Sequence, residues 1–353
     1  MLRTKKLRVG DWVEVRSKDE ILRTLDKSGQ LEGLPFMPQM FQYCGKRFQV
    51  YKRAHKTCDT VNPTRSLRVS NTIHLDLRCD GKSYGGCGAA CLIYWKTAWL
   101  KTAHATDTLR SDQNGQVQLV SCTERDVIAG TRRNGQPSDN GLAYVCQATQ
   151  VPYLGPYLPW WDLRQYWEDY VSGNVTLRRV ACGALYSSYY SLIQSGIGLG
   201  RPLRWLYDKV QSILGGVPFP RRFGTLSPEE PTPTTYPSIQ PGDLVRVKSH
   251  KEILSTLNTE NKNRGLYFDA ELVPFCGNTF RVRSLVERFI DERTGRLVIL
   301  KNPSVILEGA SCQARYSYCR MFCPRGIYGW WREIWLEKLS ETPVCISDRT
   351  KTN

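Results

Sequence analysis

Residues 10–26 read GDWVEVRSKDEILRTLD and residues 242–258 read GDLVRVKSHKEILSTLN, so one motif occurs twice, 232 positions apart. The match continues through shared landmarks: Cys44 and Cys276, Phe48 and Phe280, Trp95 and Trp331, and Trp99 and Trp335. Self-similarity over such a length is the signature of a repeated structural unit. The sequence therefore predicts an internal duplication.

Each copy has the pattern of a small β-rich module. Asp11–Arg16 and Asp243–Lys248 alternate apolar with polar residues after a Gly-Asp turn, which predicts strands. In Lys18–Leu25 and Lys251–Leu257, Ile and Leu are spaced for one face of a short helix. Further strands are predicted at Arg47–Arg53, Leu67–Leu75, Thr279–Arg283 and Leu297–Leu307. Because a Gly-Asp start is common in SH3-like barrels, we predict an α+β protein with two SH3-like modules.

The intervening chain differs in composition. Pro159 and the aromatic residues after it predict a helix within 157–171, and residues 180–214 predict one or two helices broken near Gly196–Gly200. Residues 217–241 hold seven prolines and predict an exposed linker. The expected order is module 1 over 8–105, an aromatic helical insert over 106–216, the linker over 217–241, and module 2 over 242–340.

Four cysteines recur in each copy. They are Cys44, Cys79, Cys87 and Cys91 in the first copy, and Cys276, Cys312, Cys319 and Cys323 in the second. Four thiolates suit zinc or an iron–sulfur cluster. The alternative is that they are small buried hydrophobic residues. Recurrence of the whole set favours a metal centre, with zinc preferred over a cluster.

The first copy carries additional candidate ligands. His55 and Cys58 join its predicted set, whereas the second copy has Glu287 and Ile290 at the matching positions. His55 in a basic run could instead face solvent, and His74 is predicted to be a packed or surface residue. Among the remaining cysteines, Cys122 and Cys146 could form a third pair, whereas Cys182 and Cys345 are interpreted as structural.

Charge and hydropathy restrict the setting. The net charge of +16 suits an anionic partner, and basic residues alternate with aromatic ones in Phe41–Lys56 and Arg201–Tyr207, as in binders of single-stranded nucleic acid. Leu203–Leu214 could rest on a membrane surface, although core packing is the preferred interpretation. With no secretory signal and no apolar run long enough to span a bilayer, we expect a cytoplasmic protein. No hydrolase motif is present.

Several motifs resemble one known family. RAHKTCDT (53–60), LRCDGKSYGGCGAAC (77–91) and ARYSYCRMFCPRGIYGWWREIWL (314–336) resemble a bacterial family of cysteine-rich conserved hypothetical proteins, to which no activity is assigned. The resemblance covers nearly the whole chain. Because members look like neighbours of polysaccharide and specialised-metabolite biosynthesis genes, the resemblance implies an accessory role with a protein partner.

Three hypotheses follow. The leading one is a metal-binding accessory or scaffold protein of a bacterial biosynthetic pathway, in which zinc or an iron–sulfur cluster replaces core that small modules lack. The second is an iron–sulfur redox protein, or an enzyme with its active centre in module 1. The third is a basic nucleic-acid-binding protein.

Overall fold

The computed structural model describes residues 6–102, 122–133, 143–235, 238–317 and 319–339. Helices and several small antiparallel sheets make up this part of the chain, which is the predicted α+β class. Cys345 and the expected boundaries at 105–106 and 340 lie outside the described residues.

The amino-terminal segment, residues 6–102, is mostly β. It contains helix α1 (Lys18–Leu22) and strands β1 (Trp12–Val15), β2 (Gln30–Leu31), β3 (Leu34–Pro35), β4 (Arg47–Gln49), β5 (Lys52–Arg53), β6 (Lys56–Asp59), β7 (Arg65–Arg68), β8 (Thr72–Arg78), β9 (Leu92–Lys96) and β10 (Leu100–Thr102). The strand orders are β10-β1-β4 and β5-β8-β9, with the hairpins β2-β3 and β6-β7 beside them.

The helical segment follows. It contains α2 (Glu124–Ala129), α3 (Gln147–Gln150), α4 (Arg164–Val171), α5 (Leu177–Gln194) and α6 (Gly200–Leu214). The predicted break between the last two helices is confirmed, because Gly196 and Gly198 have φ of 76° and 80°. Gly183 lets α5 approach the carboxyl-terminal part, since a Cβ there would lie 2.6 Å from the Phe322 ring.

The carboxyl-terminal segment, residues 238–339, contains helix α7 (His250–Leu254) and strands β11 (Leu244–Val247), β12 (Lys262–Asn263), β13 (Leu266–Tyr267), β14 (Thr279–Ile290), β15 (Leu297–Ser311), β16 (Tyr328–Trp331) and β17 (Leu336–Lys338). One antiparallel sheet has the order β16-β15-β14-β11-β17. Within the described ranges no sheet closes on itself, so the expected closed barrel is not seen there.

Equivalent aromatic residues organise the two main cores. Phe36 meets Trp99 edge-on with ring centroids 5.1 Å apart, and Phe268 meets Trp335 in the same way at 5.2 Å. Each of these tryptophan indoles donates a hydrogen bond to a threonine at the end of the short helix, Thr24 at 3.1 Å and Thr256 at 2.9 Å. Such edge-on pairs contribute roughly 0.5–1.5 kcal/mol beyond the area that they bury.

The proline-rich segment packs against the second core. Its described residues form no helix or strand. However, Phe219 is fully buried, and the Thr232 hydroxyl accepts a hydrogen bond from the Arg264 backbone N–H at 2.8 Å. The segment is therefore not uniformly exposed.

Candidate functional site

Two adjoining cavities lie where the amino- and carboxyl-terminal segments meet. The first cavity, about 420 Å³, is lined by Cys79, Cys87, Cys91 and Cys146. The second cavity, about 290 Å³, is lined by Cys58, Cys312 and Cys323. Both are also lined by Thr60, Arg325, Ile327 and Trp330. Seven cysteines thus surround one junction between the two segments.

Cys58 is positioned by a hairpin. It lies in β6, paired with Ser66 of β7, and its side chain is buried. Its backbone N–H points at the Cys323 sulfur 3.1 Å away, and its carbonyl accepts a hydrogen bond from Arg325 Nη1 at 3.2 Å. The two cysteines therefore sit side by side although 265 residues separate them.

Cys323 comes from an irregular loop. Phe322 has a φ of 61°, and its N–H donates to the Ala314 carbonyl at 3.0 Å, which folds the loop back on itself. A side chain at positive φ is uncommon and marks a position that the surrounding contacts enforce. This conformation turns Cys323 towards Cys58 at the wall of the second cavity.

The two thiols differ in acidity. A hydrogen bond from the Cys323 thiol lowers the pKa of Cys58, and the positive charges of Arg325 and Arg320 lower it further. Burial raises the pKa of Cys323 well above its ordinary value, and the same hydrogen bond adds to that shift. The favoured state of the pair is therefore a Cys58 thiolate that accepts a hydrogen bond from the Cys323 thiol.

Arg325 is a fixed cation beside this pair. Its Nη2 donates to the Glu292 carboxylate at 2.7 Å, and its Nη1 also reaches the Thr60 hydroxyl at 3.2 Å. Burial lowers the pKa of Arg325, but the combined attraction of Glu292, Tyr94, Cys58 and Cys91 outweighs this effect, so the pKa lies well above its usual value. The guanidinium therefore stays charged and favours the thiolate form of Cys58.

Three thiols of the first cavity, those of Cys79, Cys91 and Cys146, have the opposite character. Burial raises the pKa of Cys79 to about 12 and that of Cys146 to about 11, and raises the pKa of Cys91 well above its ordinary value. These groups are protonated at neutral pH and are therefore poor nucleophiles. Gln39 Nε2 donates to the Cys79 sulfur at 3.2 Å.

Three of the predicted cysteine ligands lie apart from these cavities. Cys44 and Cys276 end equivalent 3₁₀ helices, Pro38–Tyr43 and Ala270–Phe275, and pack against the two cores. The Cys319 carbonyl accepts a hydrogen bond from Ser66, and its side chain lines neither cavity. Neither predicted four-cysteine set is therefore complete at a cavity. Cys146 joins the remaining cysteines of the first set in the first cavity, and Cys58 joins those of the second set in the second cavity.

Within the described ranges, no three histidine, cysteine, aspartate or glutamate side chains form a group that could hold a metal ion. The seven cysteines therefore share cavity walls without forming a ready coordination sphere. Zinc and iron–sulfur clusters both need three or four ligands converging on one point.

The histidines lie away from the cysteines. His55 is buried, and its Nε2 lies 3.2 Å from the Asp169 carboxylate, which also binds Lys56 Nζ at 2.6 Å. His74 is packed inside the first core, which is one of the two placements predicted for it, a packed or a surface position. Its Nδ1 donates a hydrogen bond to the Ile93 carbonyl at 2.8 Å. Neither histidine lines the two cysteine cavities.

Some of the site residues that sequence reasoning missed carry a partial signal. Arg325 follows Cys323 within the C-P-R-G stretch, which could have marked it as a partner of a thiolate. Sequence analysis suggests that Cys146 pairs with Cys122. Instead, the Cys122 thiol donates a hydrogen bond to the Thr123 carbonyl at 3.5 Å. No sequence pattern around Glu292 marks it as a site residue, because its role depends on Arg325, which lies 33 positions later in the chain.

No family model, no curated protein and no solved structure matches this chain. A function must therefore be argued from the site itself. Among the described helices, none combines the length and apolar character needed to cross a membrane.

Proposed function

We propose that this protein is a thiol–disulfide redox protein, with Cys58 as the attacking thiolate and Cys323 as the resolving thiol. The observation that carries the proposal is the direct contact of these two cysteines at the wall of an open cavity, beside the buried Arg325. A nucleophilic thiolate next to a second thiol and a cation is the arrangement that such exchange requires.

The reaction balances without a further cofactor. The Cys58 thiolate attacks one sulfur of a substrate disulfide, forms a mixed disulfide and expels a substrate thiolate, which takes a proton from solvent. The Cys323 sulfur then attacks Cys58 and forms the Cys58–Cys323 disulfide. The second substrate thiolate leaves with the proton that Cys323 gives up. The protein dithiol is oxidised and the substrate disulfide becomes two thiols.

The cavity suggests the substrate class. About 290 Å³ is at the lower end of the volumes that hold small ligands. Cys58 is only 8% exposed, so a folded protein disulfide cannot reach it directly. Arg320 and Arg325 line the cavity, as do Asp269 and Glu271, so its wall carries charges of both signs. We therefore expect a low-molecular-weight disulfide that carries both amino and carboxylate groups.

Oxidised glutathione is a suitable probe. Treatment of the reduced protein should give an internal Cys58–Cys323 disulfide, detected by mass spectrometry of peptides. In Cys323→Ser the reaction should stop at a glutathione adduct on Cys58, because no resolving thiol is present. In Cys58→Ser, Cys323 should remain unmodified at neutral pH, since its pKa is raised by burial.

Cys276→Ser is the matched control, because burial raises the pKa of Cys276 to about 12 and its side chain lies outside both cavities. This variant should behave as the parent protein does. Thermal melts of all variants establish that they are folded. If Cys58 in folded Cys323→Ser reacted no faster than Cys276, the proposal would be wrong.

A soft metal is the second candidate, because four cysteines line the first cavity. Zinc or an iron–sulfur cluster there would require Cys79, Cys87, Cys91 and Cys146 to draw together, and their thiols would have to lose protons. Elemental analysis and an absorption spectrum of anaerobically purified protein distinguish zinc, iron–sulfur and neither. Protein without bound metal whose stability is unaffected by a chelator would exclude this candidate.

We also propose a common origin for the two segments, an accessory role in biosynthesis and, as a third candidate, nucleic-acid binding. Matching aromatic cores and helix caps support a duplicated, SH3-like ancestor for the two segments. The resemblance to the bacterial family supports an accessory role in polysaccharide or specialised-metabolite biosynthesis, a protein partner and a cytoplasmic location. Nucleic-acid binding has the net positive charge as its support.

A further inference from the structure

Helix α6 contains no buried residue, although it is 15 residues long. Ile213 is 84% exposed, Leu214 71% and Trp205 62%. Large apolar side chains concentrated on one exposed surface usually mark a contact site. The expectation that Leu203–Leu214 packs in the core is therefore wrong, and the apolar side chains need another explanation.

Four exposed aliphatic residues of α6 lie on one face. Leu206, Val210, Ile213 and Leu214 follow the three- and four-residue spacing of a helix, and Leu199 extends the same stripe towards the turn. Polar contacts to neighbouring segments hold the helix in place. Tyr189 of α5 donates to the Leu203 carbonyl, and Asp208 forms an ion pair with Arg222. We call the stripe Leu199, Leu206, Val210, Ile213 and Leu214 the α6 apolar face.

Further exposed apolar residues lie in the turn before α6 and in α5. Ile197, in the turn between the helices, is 60% exposed. On α5, Leu185 is 72% exposed and Leu192 is 43% exposed. Trp205 lies beside the α6 apolar face, with Lys209 Nζ 5.9 Å from its ring centre. A tryptophan at the boundary of an apolar face suits the headgroup level of a bilayer.

The charges of this helical pair select the partner. Residues 177–214 contain one acidic residue, Asp208, which Arg222 neutralises. The basic residues of the same stretch are Arg178, Arg179, Arg201, Arg204 and Lys209. An anionic surface would be attracted by this excess, at about 1 kcal/mol for each basic residue near the surface. A second copy of the chain would bring like charges together.

We infer that the α6 apolar face binds the surface of an anionic lipid bilayer, with α6 lying in the plane of the headgroups. A helix with an apolar face, a basic polar side and a boundary tryptophan has the features of interfacial helices, which bury their apolar face roughly 5–10 Å deep. This inference is independent of the thiol chemistry proposed above.

Vesicle flotation tests the inference directly. The full chain should float with phosphatidylcholine vesicles that contain about one quarter phosphatidylglycerol, and far less with pure phosphatidylcholine, because the attraction needs anionic headgroups. Raising the salt concentration should weaken binding, since screening reduces that attraction. Ile213→Asp should lower the fraction bound at least about tenfold, because it places a charge in the apolar face.

Ile128→Asp is the matched control, since Ile128 is also an exposed helical isoleucine (52%) but lies on α2. It should bind as the parent does, and circular dichroism should show both variants folded. Absence of binding to anionic vesicles, or parent-like binding by folded Ile213→Asp, would overturn the inference. So would a dimer, seen by light scattering, that Ile213→Asp dissociates while vesicles bind neither protein; that outcome would assign the face to a second copy.

Discussion

His74 couples the stability of the first core to pH. Its ring is fully buried against Tyr94, with centroids 4.5 Å apart. Desolvation lowers the pKa of His74 to about 3 from an ordinary 6.5. Between these values the unfolded chain binds a proton that the folded chain excludes, so stability must fall as the pH falls through this range.

We predict that His74→Gln reduces this acid sensitivity. The amide can still donate to the Ile93 carbonyl, but it cannot titrate. Urea unfolding of the parent between about pH 6 and pH 4 should show a loss of stability in which His74 accounts for up to roughly 1.4 kcal/mol per pH unit. The variant should lose that contribution, even if its stability at neutral pH is lower.

His250 provides the comparison for His74. Burial lowers the pKa of His250 to about 4, so it acts in the same direction over a narrower range. At the acid end of the pH range, His250→Gln should therefore reduce the dependence of the unfolding free energy on pH less than His74→Gln does. An unchanged slope in His74→Gln would contradict the prediction.

The residues around His55 show a limit of local sequence reasoning. Lys52–Lys56 has the composition of a solvated basic run, yet Lys56 is 1% exposed and Asp169 is fully buried. The ion pair is possible because α4 brings Asp169 from more than a hundred positions away. No pattern within the run itself indicates that partner.

At the level of elements, the two short helices carry the same cap. In Ser17–Glu20 and Ser249–Glu252, the serine hydroxyl accepts from the glutamate N–H, and the glutamate carboxylate accepts from the serine N–H at 2.9 Å. Removing such a cap generally costs about 1 kcal/mol, because backbone donors at the helix start lose their partner.

Ser17→Ala and Ser249→Ala should therefore destabilise the protein by similar amounts, about 1 kcal/mol each. Urea unfolding at neutral pH measures both changes. Ser212→Ala, at an exposed position within α6, should change stability by less than about 0.5 kcal/mol. A cost at only one of the two caps would show that the helices are not equivalent.

The elements were predictable where their sequence pattern is local. Alternation after the Gly-Asp turn correctly located β1 and β11, and the glycine-rich stretch correctly located the break before α6. The prediction at Thr279–Arg283 was too short, since β14 runs to Ile290. It continues because β15 pairs with it along that length, with Ile290 opposite Leu297. Such pairing depends on a second strand that a single-strand pattern does not reveal.

At the scale of the whole molecule, the sequence repeat predicts a grouping of the cysteines that differs from the one in the structure. An offset of 232 groups Cys79, Cys87 and Cys91 within one copy, and these three do line one cavity. The same logic separates Cys58 from Cys323, which are in contact. A sequence repeat indicates matching positions, whereas the candidate site lies where the amino- and carboxyl-terminal segments meet.

Hydrogen bonds across this junction hold the amino- and carboxyl-terminal segments together. Besides the Arg325 contacts, Arg78 Nη1 donates to the Gly326 carbonyl at 2.8 Å, and the Gly88 N–H donates to the Arg288 carbonyl at 2.8 Å. Because these bonds cross between the amino- and carboxyl-terminal segments, neither segment can unfold without exposing the walls of both cavities. We therefore predict a single cooperative thermal transition, with calorimetric and van't Hoff enthalpies in agreement.

Arg325→Met tests this coupling. The change removes the hydrogen bonds to Cys58 and Thr60 and leaves Glu292 without its partner, so it should cost roughly 2–4 kcal/mol. The transition should also broaden or divide, because the lost bonds to Cys58 and Thr60 cross the junction. Arg246→Met is the control: its ion pair with Glu337 is half exposed and lies within one segment, so its loss should cost about 1 kcal/mol or less. Two separate transitions in the parent protein would mean that the segments unfold independently, and the Cys58–Cys323 contact would then persist only while both remain folded.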